Sequence, residues 1–283
     1  MKSGRADVEI KTGRKGSGSP NLPVITLLTD FGTADYFAGA VKGAILSVNP
    51  VAAIVDITHE IPPQDVEAAA FTLLATYQTF PQGTIHVAVV DPGVGSARRP
   101  IVVRAGDQFF VGPDNGIFTY IYDREPSHQV FHITSDKYFR PSPSTTFHGR
   151  DIFAPVAAAL SKGVTLKQLG VVINDKVRLE TSLKPEVLKN GNVKGRIIHI
   201  DRFGNCITNL TRDLCDERSA LLIKRKTIRA FRDFYSDAPP NSLFAIWGSA
   251  GFLEISVNGS SAAKVLRAKR GDTIVVTQNS QDH

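Results

Sequence analysis

The sequence lacks the features of an exported, membrane-spanning or metal-bound protein. No apolar run in its 283 residues approaches the roughly 20 residues that a helix needs to cross a bilayer, and the N-terminus has no apolar secretory core. The two cysteines, Cys206 and Cys215, are nine residues apart and match no zinc or redox motif. We therefore expect a cytoplasmic protein with reduced thiols, no membrane association and no metal.

The formal net charge of +6 raises the question of nucleic-acid binding. Half of this excess falls in residues 1–19, a Gly- and Ser-rich stretch without hydrophobic periodicity. We predict that residues 1–21 form a disordered basic tail. The other half is spread over the rest of the chain without any nucleic-acid-binding motif, so we expect no nucleic-acid partner.

Short apolar runs alternate with helical patterns in the first two thirds of the chain. The pattern predicts strand, helix, strand, helix and strand at Val24–Leu28, Asp35–Val48, Ala53–Ile57, Asp65–Thr79 and Thr84–Val90. This order is typical of parallel strands joined by crossover helices, and it predicts a layered α/β/α domain with a mostly parallel sheet. Further along, a hairpin, a turn and a helix are predicted at Ile101–Ala105 with Gln108–Val111, at Gly112–Gly116 and at Asp151–Ser161.

The composition changes near Lys184–Gly191, and only short strands are predicted after it. These strands are Val193–Asp201, Cys206–Asn209, Ala220–Lys224, Leu243–Trp247, Phe252–Val257 and Thr273–Thr277. Short strands separated by tight turns favour a small β-barrel or a β-sandwich, of which we take the barrel as the prediction. We therefore predict an α/β domain over residues 22–183 and a C-terminal barrel domain over residues 190–279.

Polar clusters follow three predicted strands of the α/β domain, where ligands of open α/β sheets gather. They are Thr29–Gly32, Asp56–His59 and Asp91–Ser96. Asp30 is placed either to accept hydrogen bonds from a ribose diol or to form a turn or helix cap. Asp91 stands seven residues before Arg98, which either orients the Asp91 carboxylate or forms a surface salt bridge with it.

Two further motifs carry candidate site residues. Phe147–Asp151 contains His148, which has no second ligand at metal spacing and no nucleophile elbow in the sequence, so it is either catalytic or structural. Asp201–Asn205 sets an aromatic ring, Phe203, beside an amide, Asn205. That pair suits an adenine ring, although a Phe that plugs the end of the barrel fits the sequence equally well.

Four of these motifs resemble, in the same order, those of the S-adenosylmethionine hydroxide adenosyltransferases, which are hydrolases related to fluorinases and chlorinases. The four are Thr29–Gly32, Asp91–Ser96, Phe147–Asp151 and Asp201–Asn205. The resemblance runs from about Val24 to Thr277. It implies a seven-stranded α/β domain, a C-terminal β-barrel and a homotrimer with the active site between subunits. It also implies cleavage of S-adenosyl-L-methionine by water at the ribose C5′–sulfur bond, without a cofactor, to give adenosine and L-methionine.

The resemblance also assigns roles to particular residues. Asp91, Arg98 and His148 match the set that activates water. Residues assigned to substrate binding are Asp30, Asp35, Tyr36, Phe37, Phe147, Gly149, Asp201, Phe203, Asn205, Ser249, Glu254, Val257 and Gly259. Which group accepts the proton of the water is left open.

Two other functions fit the same motifs. A halogenase would use the same substrate, but this chain has Asp91, Val94 and Gly149 where the halogenating relatives carry halide-binding hydroxyl groups, and a carboxylate repels a halide. A nucleoside sensor would bind without turnover. Chloride-dependent products would indicate a halogenase, and tight adenosine binding without methionine release would indicate a sensor.

Overall fold

A computed structural model describes residues 23–277, so the predicted tail at residues 1–21 lies outside the described range. Seven strands form the first sheet: β1 (Val24–Thr29), β2 (Ala53–Thr58), β3 (Ile85–Val89), β4 (Pro100–Ala105), β5 (Gln108–Pro113), β6 (Gln129–Ile133) and β7 (Gly170–Ile173). Their order is β2-β1-β3-β5-β4-β6-β7. Only β4 and β7 run against the others, which confirms the predicted mostly parallel sheet.

Helices cover both faces of this sheet. They are α1 (Phe37–Val48), α2 (Val66–Thr76), α3 (Thr119–Arg124), α4 (Ala154–Ser161) and α5 (Leu166–Leu169). Successive residues of a strand point to opposite faces: Leu27 packs in the core under α1 and α4, and Leu28 in the core under α2 and α3. The three layers confirm the predicted α/β/α architecture.

The second sheet is antiparallel and nearly closes into a barrel, as predicted. Its elements are β8 (Glu186–Val187), β9 (Val193–Ile200), β10 (Cys206–Thr208), β11 (Ala220–Ile223), β12 (Lys226–Ile228), β13 (Leu243–Trp247), β14 (Leu253–Val257), α6 (Ala262–Leu266) and β15 (Thr273–Thr277). The order is β12-β11-β15-β9-β10-β14-β13, with β8 beside β9. The chain after β12 bonds to β13: Ala245 N donates to Ala230 O at 2.8 Å, and Arg232 N to Ala245 O at 3.0 Å.

Several predicted boundaries differ from the structure, and three of them bear on the site. Helix α1 begins at Phe37, two residues after Asp35, and the predicted turn at Gly112 is still part of β5. The helix predicted from Asp151 begins at Ala154, after a π-helical turn over Gly149–Phe153. Pro155 has no N–H to bond the Asp151 carbonyl, which accepts from Arg140 N at 2.9 Å instead, so the chain widens there.

The barrel contacts the α/β layers through α2. Arg196 of β9 donates to Glu67 at 2.8 Å, and Arg270 donates to Asp65, the N-cap residue of α2, at 2.7 Å. Phe71 of α2 stacks on His199 with ring centroids 4.6 Å apart. These contacts hold the N-terminal half of α2, which begins just beyond residue 64, against the barrel.

Within the described range, none of the helices is both long and apolar enough to cross a membrane. Among the same residues, no three His, Cys, Asp or Glu side chains form a group suited to holding a metal ion.

Candidate active site

A cleft of about 410 Å³ opens where β1 and β3 end. These neighbouring strands continue in opposite directions across the sheet, β1 to β2 and β3 to β4, so their carboxyl ends leave a crevice in which ligands bind. Its lining consists of Asp30, Phe31, Phe37, Gln64, Val89, Asp91, Pro92, Val94, Thr146, Phe147, His148 and Gly149. We call this the α/β cleft.

Asp91, Arg98 and His148 form one hydrogen-bonded cluster at the α/β cleft. Nε of Arg98 lies 3.0 and 2.9 Å from the two carboxylate oxygens of Asp91, and its Nη2 forms a short contact to Oδ2. The same Nη2 is 2.7 Å from Nδ1 of His148. Only 5% of the Asp91 side chain and 8% of the Arg98 side chain are exposed, so this ion pair is far less screened than one at the surface.

The contact with Arg98 decides the tautomer of His148. A guanidinium can only donate, so Nδ1 of His148 must be the acceptor. Partial burial, together with the positive charge of Arg98, lowers the pKa of His148. His148 is therefore a neutral imidazole at pH 7 with its proton on Nε2, and it offers an N–H donor beside the carboxylate of Asp91.

Asp30 lies in the same cleft, at the end of β1. Its Oδ2 accepts a hydrogen bond from the backbone N–H of Gln64 at 2.8 Å. The loop that carries Asp30 also contacts His59, which is buried. Nδ1 of His59 lies 2.8 Å from the hydroxyl of Thr29. His59 thus supports the loop without lining the cleft, and Asp30 keeps acceptor capacity for a ligand with two hydroxyl groups.

An aromatic cluster forms one wall of the α/β cleft. The ring centroids of Phe31, Phe37 and Phe147 lie 5.1 to 5.8 Å apart. Tyr36 stacks on Phe37 at 4.4 Å but is 68% exposed. Of the predicted substrate-binding residues in this region, Asp35 and Tyr36 are not part of the lining.

A second and larger cleft, of about 1110 Å³, lies between the barrel and α2. We call it the barrel cleft. All predicted site residues of the barrel line it: Asp201, Phe203, Asn205, Ser249, Glu254, Val257 and Gly259. No residue lines both clefts, so within residues 23–277 the predicted site is divided into two separate parts.

The carboxylate of Asp201 organises one loop of the barrel cleft. Its Oδ1 accepts from the backbone N–H groups of Phe203 and Asn205 at 2.9 and 2.8 Å, and its Oδ2 accepts from the side chain of Asn205 at 2.9 Å. Asn205 is buried, and its amide oxygen accepts no hydrogen bond from residues 23–277, so it remains available to a ligand. Phe203 is 78% exposed, which leaves its ring available for stacking.

Glu254 is a buried carboxyl group in the barrel cleft. Burial raises its pKa, although the hydroxyl of Tyr235 donates to Oε2 at 3.0 Å and opposes that shift. Burial and the nearby Glu254 in turn raise the pKa of Tyr235 to about 12. Tyr235 could not be identified from the sequence, since a single Tyr between strands carries no spacing signal.

The two loops that hold Asp91 and His148 touch each other at Gly95. Gly95 has a φ of +79°, and a Cβ there would lie 2.3 Å from the carbonyl oxygen of Thr145. Because neither backbone can move aside without shifting its own loop, only glycine fits. This contact fixes the Asp91 loop against the segment that leads into His148.

We expect Gly95→Ala to lower the free energy of unfolding by about 3 kcal/mol, through left-handed strain and the clash together. Gly83→Ala is the matched control, because Gly83 has a similar φ of +81° but open space around it. It should lose only about 1 kcal/mol. Urea denaturation of both variants measures the difference, and equal losses would contradict the interlocked loops.

Both parts of the chain are similar to the same protein family. Residues 25–170 match the family described as SAM hydroxide adenosyltransferase N-terminal domain, and residues 195–275 match its C-terminal domain. An (R)-S-adenosyl-L-methionine hydrolase from Salinispora arenicola is 38% identical, covering 91% of this chain and 98% of the relative. A hydrolase of the same name from Methanocaldococcus jannaschii is 36% identical, covering 90% and 96%.

More distant relatives and solved structures agree with this similarity. A fluorinase from Actinoplanes sp. is 27% identical, covering 90% of this chain and 98% of the relative. The crystal structure of an uncharacterized conserved protein from Thermotoga maritima is 37% identical and superposes with a TM-score of 0.83, covering 90% of this chain and all of the other.

Proposed function

Because the chain belongs to the SAM hydroxide adenosyltransferase family, we propose that it hydrolyses S-adenosyl-L-methionine (SAM) to adenosine and L-methionine. The observation that carries this proposal is the buried cluster of Asp91, Arg98 and His148 at the α/β cleft, with Asp30 in the same cleft. The cluster supplies both a carboxylate acceptor and a neutral N–H donor for one water molecule.

The proposed reaction is an in-line displacement at C5′ of the ribose. The oxygen of water forms a bond to C5′ while the C5′–sulfur bond breaks, and its electron pair stays on sulfur as the thioether of methionine. One proton of the water is lost to the surroundings. Since a sulfonium is a good leaving group, the enzyme needs only to position and activate the water opposite sulfur.

The geometry suggests how the water is held. Nε2–H of His148 donates to the oxygen of the water, and the water donates one hydrogen bond to the carboxylate of Asp91, which turns the remaining lone pair of the water toward C5′. Arg98 fixes the positions of Asp91 and His148 relative to each other, because it contacts both side chains. The side chains of Asp91 and Arg98 are almost fully buried. Charge beside them is therefore weakly screened, and the substrate cation and the developing hydroxide neutralise each other there.

The same geometry favours water over a halide as the nucleophile. Asp91 presents negative charge to the cleft, and the side chain of Val94 and the backbone of Gly149 offer no hydroxyl group nearby. A halide would be repelled by the carboxylate and would find few donors. The fluorinases are also more distant in sequence than the hydrolases.

We further propose that the complete site forms between subunits of a homotrimer. The α/β cleft supplies Asp30 for the ribose and the catalytic cluster, and the barrel cleft of a neighbouring chain supplies Phe203 and Asn205 for adenine. The separation of the two clefts within one chain supports this arrangement, as does the exposure of the Phe203 ring. Glu254 and Ser249 then lie at the methionine end.

Hydrolysis in ¹⁸O-labelled water tests the bond that breaks. We expect the label in the 5′-hydroxyl group of adenosine and none in methionine, because water attacks carbon in the proposed reaction. The relatives' names specify the R form of the substrate, so the assay uses both epimers at sulfur, with products identified by mass spectrometry. Methylthioadenosine as the main product, or label only in methionine, would rule out the proposal.

A further inference from the structure

Gln64 has an unusual backbone conformation beside the α/β cleft. Its φ is +65°, the left-handed region that disfavours a residue with a Cβ. The backbone is held there from two sides. Its N–H donates to Asp30 Oδ2 at 2.8 Å, and the next residue, Asp65, caps α2 by accepting from Ala68 N at 3.0 Å and binds Arg270 of the barrel.

This backbone conformation presents the side chain of Gln64 to the α/β cleft. Gln64 is part of the lining together with Asp30, Asp91 and His148. Its side-chain amide forms no hydrogen bond to any residue from 23 to 277, although its backbone is anchored. A strained residue with an anchored backbone and an unengaged amide at the cleft points to a ligand contact.

The chemistry of a ribose identifies that contact. Each ribose hydroxyl donates one hydrogen bond and keeps two lone pairs that can accept. The carboxylate of Asp30 can accept hydrogen bonds from the ribose hydroxyl groups, but it cannot donate a hydrogen bond to their lone pairs. The remaining lone pairs need an N–H or O–H, and the rest of the lining near Asp30 is largely aromatic or aliphatic.

The other side-chain donors in the lining have other partners or roles. The hydroxyl of Thr146 is 3.1 Å from the hydroxyl of Ser144, and His148 accepts from Arg98 at Nδ1 while its Nε2–H is assigned to the water of the proposed reaction. The Nε2 amide of Gln64 is the donor left beside Asp30. We infer that Gln64 donates a hydrogen bond to a ribose hydroxyl and makes the enzyme specific for ribonucleosides over the corresponding deoxyribonucleosides.

This inference rests on the proposed function, since it assigns the ribose to the α/β cleft, but it can be tested by binding alone. Calorimetry compares adenosine with 2′-deoxyadenosine and 3′-deoxyadenosine on four forms of the full chain: wild type, Gln64→Gly, Gln64→Leu and Gln82→Leu. Glycine keeps the left-handed backbone and the bond to Asp30, while leucine keeps the size of the side chain. Gln82 is an exposed residue at the opposite end of β3 and serves as the control.

Gln64 is proposed to contact one ribose hydroxyl, so only the deoxynucleoside that lacks this hydroxyl should respond. For that deoxynucleoside, the ratio of its Kd to the Kd of adenosine should fall about 3- to 10-fold in both Gln64 variants, as expected for loss of one hydrogen bond. Affinity for that deoxynucleoside itself should stay unchanged, and Gln82→Leu should match wild type. Preferences that do not fall, or fall in only one of the two variants, would overturn the inference, and so would a wild-type protein that binds no nucleoside. If the nucleosides behave as expected but SAM yields no methionine, the hydrolase proposal fails and Gln64 keeps its role.

Discussion

Asp91→Asn should lower kcat for SAM hydrolysis by about 100-fold or more, while KM changes only a few-fold. Asparagine keeps the size of the side chain but removes the charge that Arg98 contacts through Nε and Nη2. Without that charge the water loses its acceptor, and Arg98 loses the partner that holds it against His148. Steady-state assays of adenosine release measure both constants.

His148→Ala should give a loss of kcat of similar size, because it removes the Nε2 donor and the contact to Arg98. Asp107→Asn is the control for the chemical change, since Asp107 is exposed in the turn between β4 and β5, away from the cleft. It should keep full kcat. If Asp91→Asn and His148→Ala both keep full kcat as well, the catalytic cluster has been assigned to the wrong residues.

Mixing two inactive variants should restore activity if the site is shared between subunits. Asp91→Asn damages the α/β cleft, and Asn205→Asp damages the barrel cleft by placing a second carboxylate beside Asp201. After subunit exchange at equal amounts, half of the α/β clefts and half of the barrel clefts are intact. About a quarter of the composite sites are then undamaged, so about a quarter of wild-type activity should return.

The control for this experiment mixes Asp91→Asn with His148→Ala. Both changes damage the α/β cleft, so no combination of chains contains an intact one and no activity should return. Mass spectrometry of differently labelled chains verifies that exchange has occurred. Absence of rescue in the first mixture despite proven exchange, or full activity in dilute monomers, would refute the shared site and leave the proposed chemistry standing.

Sequence patterns predicted the elements that are uniformly buried. Five of the six residues of Val24–Thr29 are buried, and such a continuous apolar run identifies a central parallel strand. The strands Gln129–Ile133 and Gly170–Ile173 were both missed, and Gly170–Ile173 is the last strand at the far edge of the sheet. Val171 and Val172 are each 56% exposed there, so the strand carries no clear pattern.

The candidate site was predictable only where its members are close in sequence or carry a family motif. Asp91 and Arg98 are seven positions apart in one loop, and an Arg98 that orients the Asp91 carboxylate was one of two interpretations that the sequence allowed. The resemblance places Gln64 at the ribose wall, where the halogenating relatives carry a Trp. The hydrogen bond proposed for its side chain could not be predicted, because it depends on a backbone conformation that the sequence does not reveal. The division of the site into two clefts could not be predicted either, because distances in space do not follow from the number of residues between two positions in the sequence.

The bond between Asp65 and Arg270 has a consequence for the time at which the enzyme matures during synthesis. These residues are 205 positions apart, and the bond anchors the residue next to Gln64. At a ribosomal rate of about 5 to 20 residues per second, roughly 10 to 40 s pass between the synthesis of Asp65 and that of Arg270. The α/β layers emerge first and can collapse in that interval, while the acidic start of α2 still lacks its arginine partner. A nascent chain therefore carries its catalytic cluster well before the ribose side of the same cleft is fully anchored.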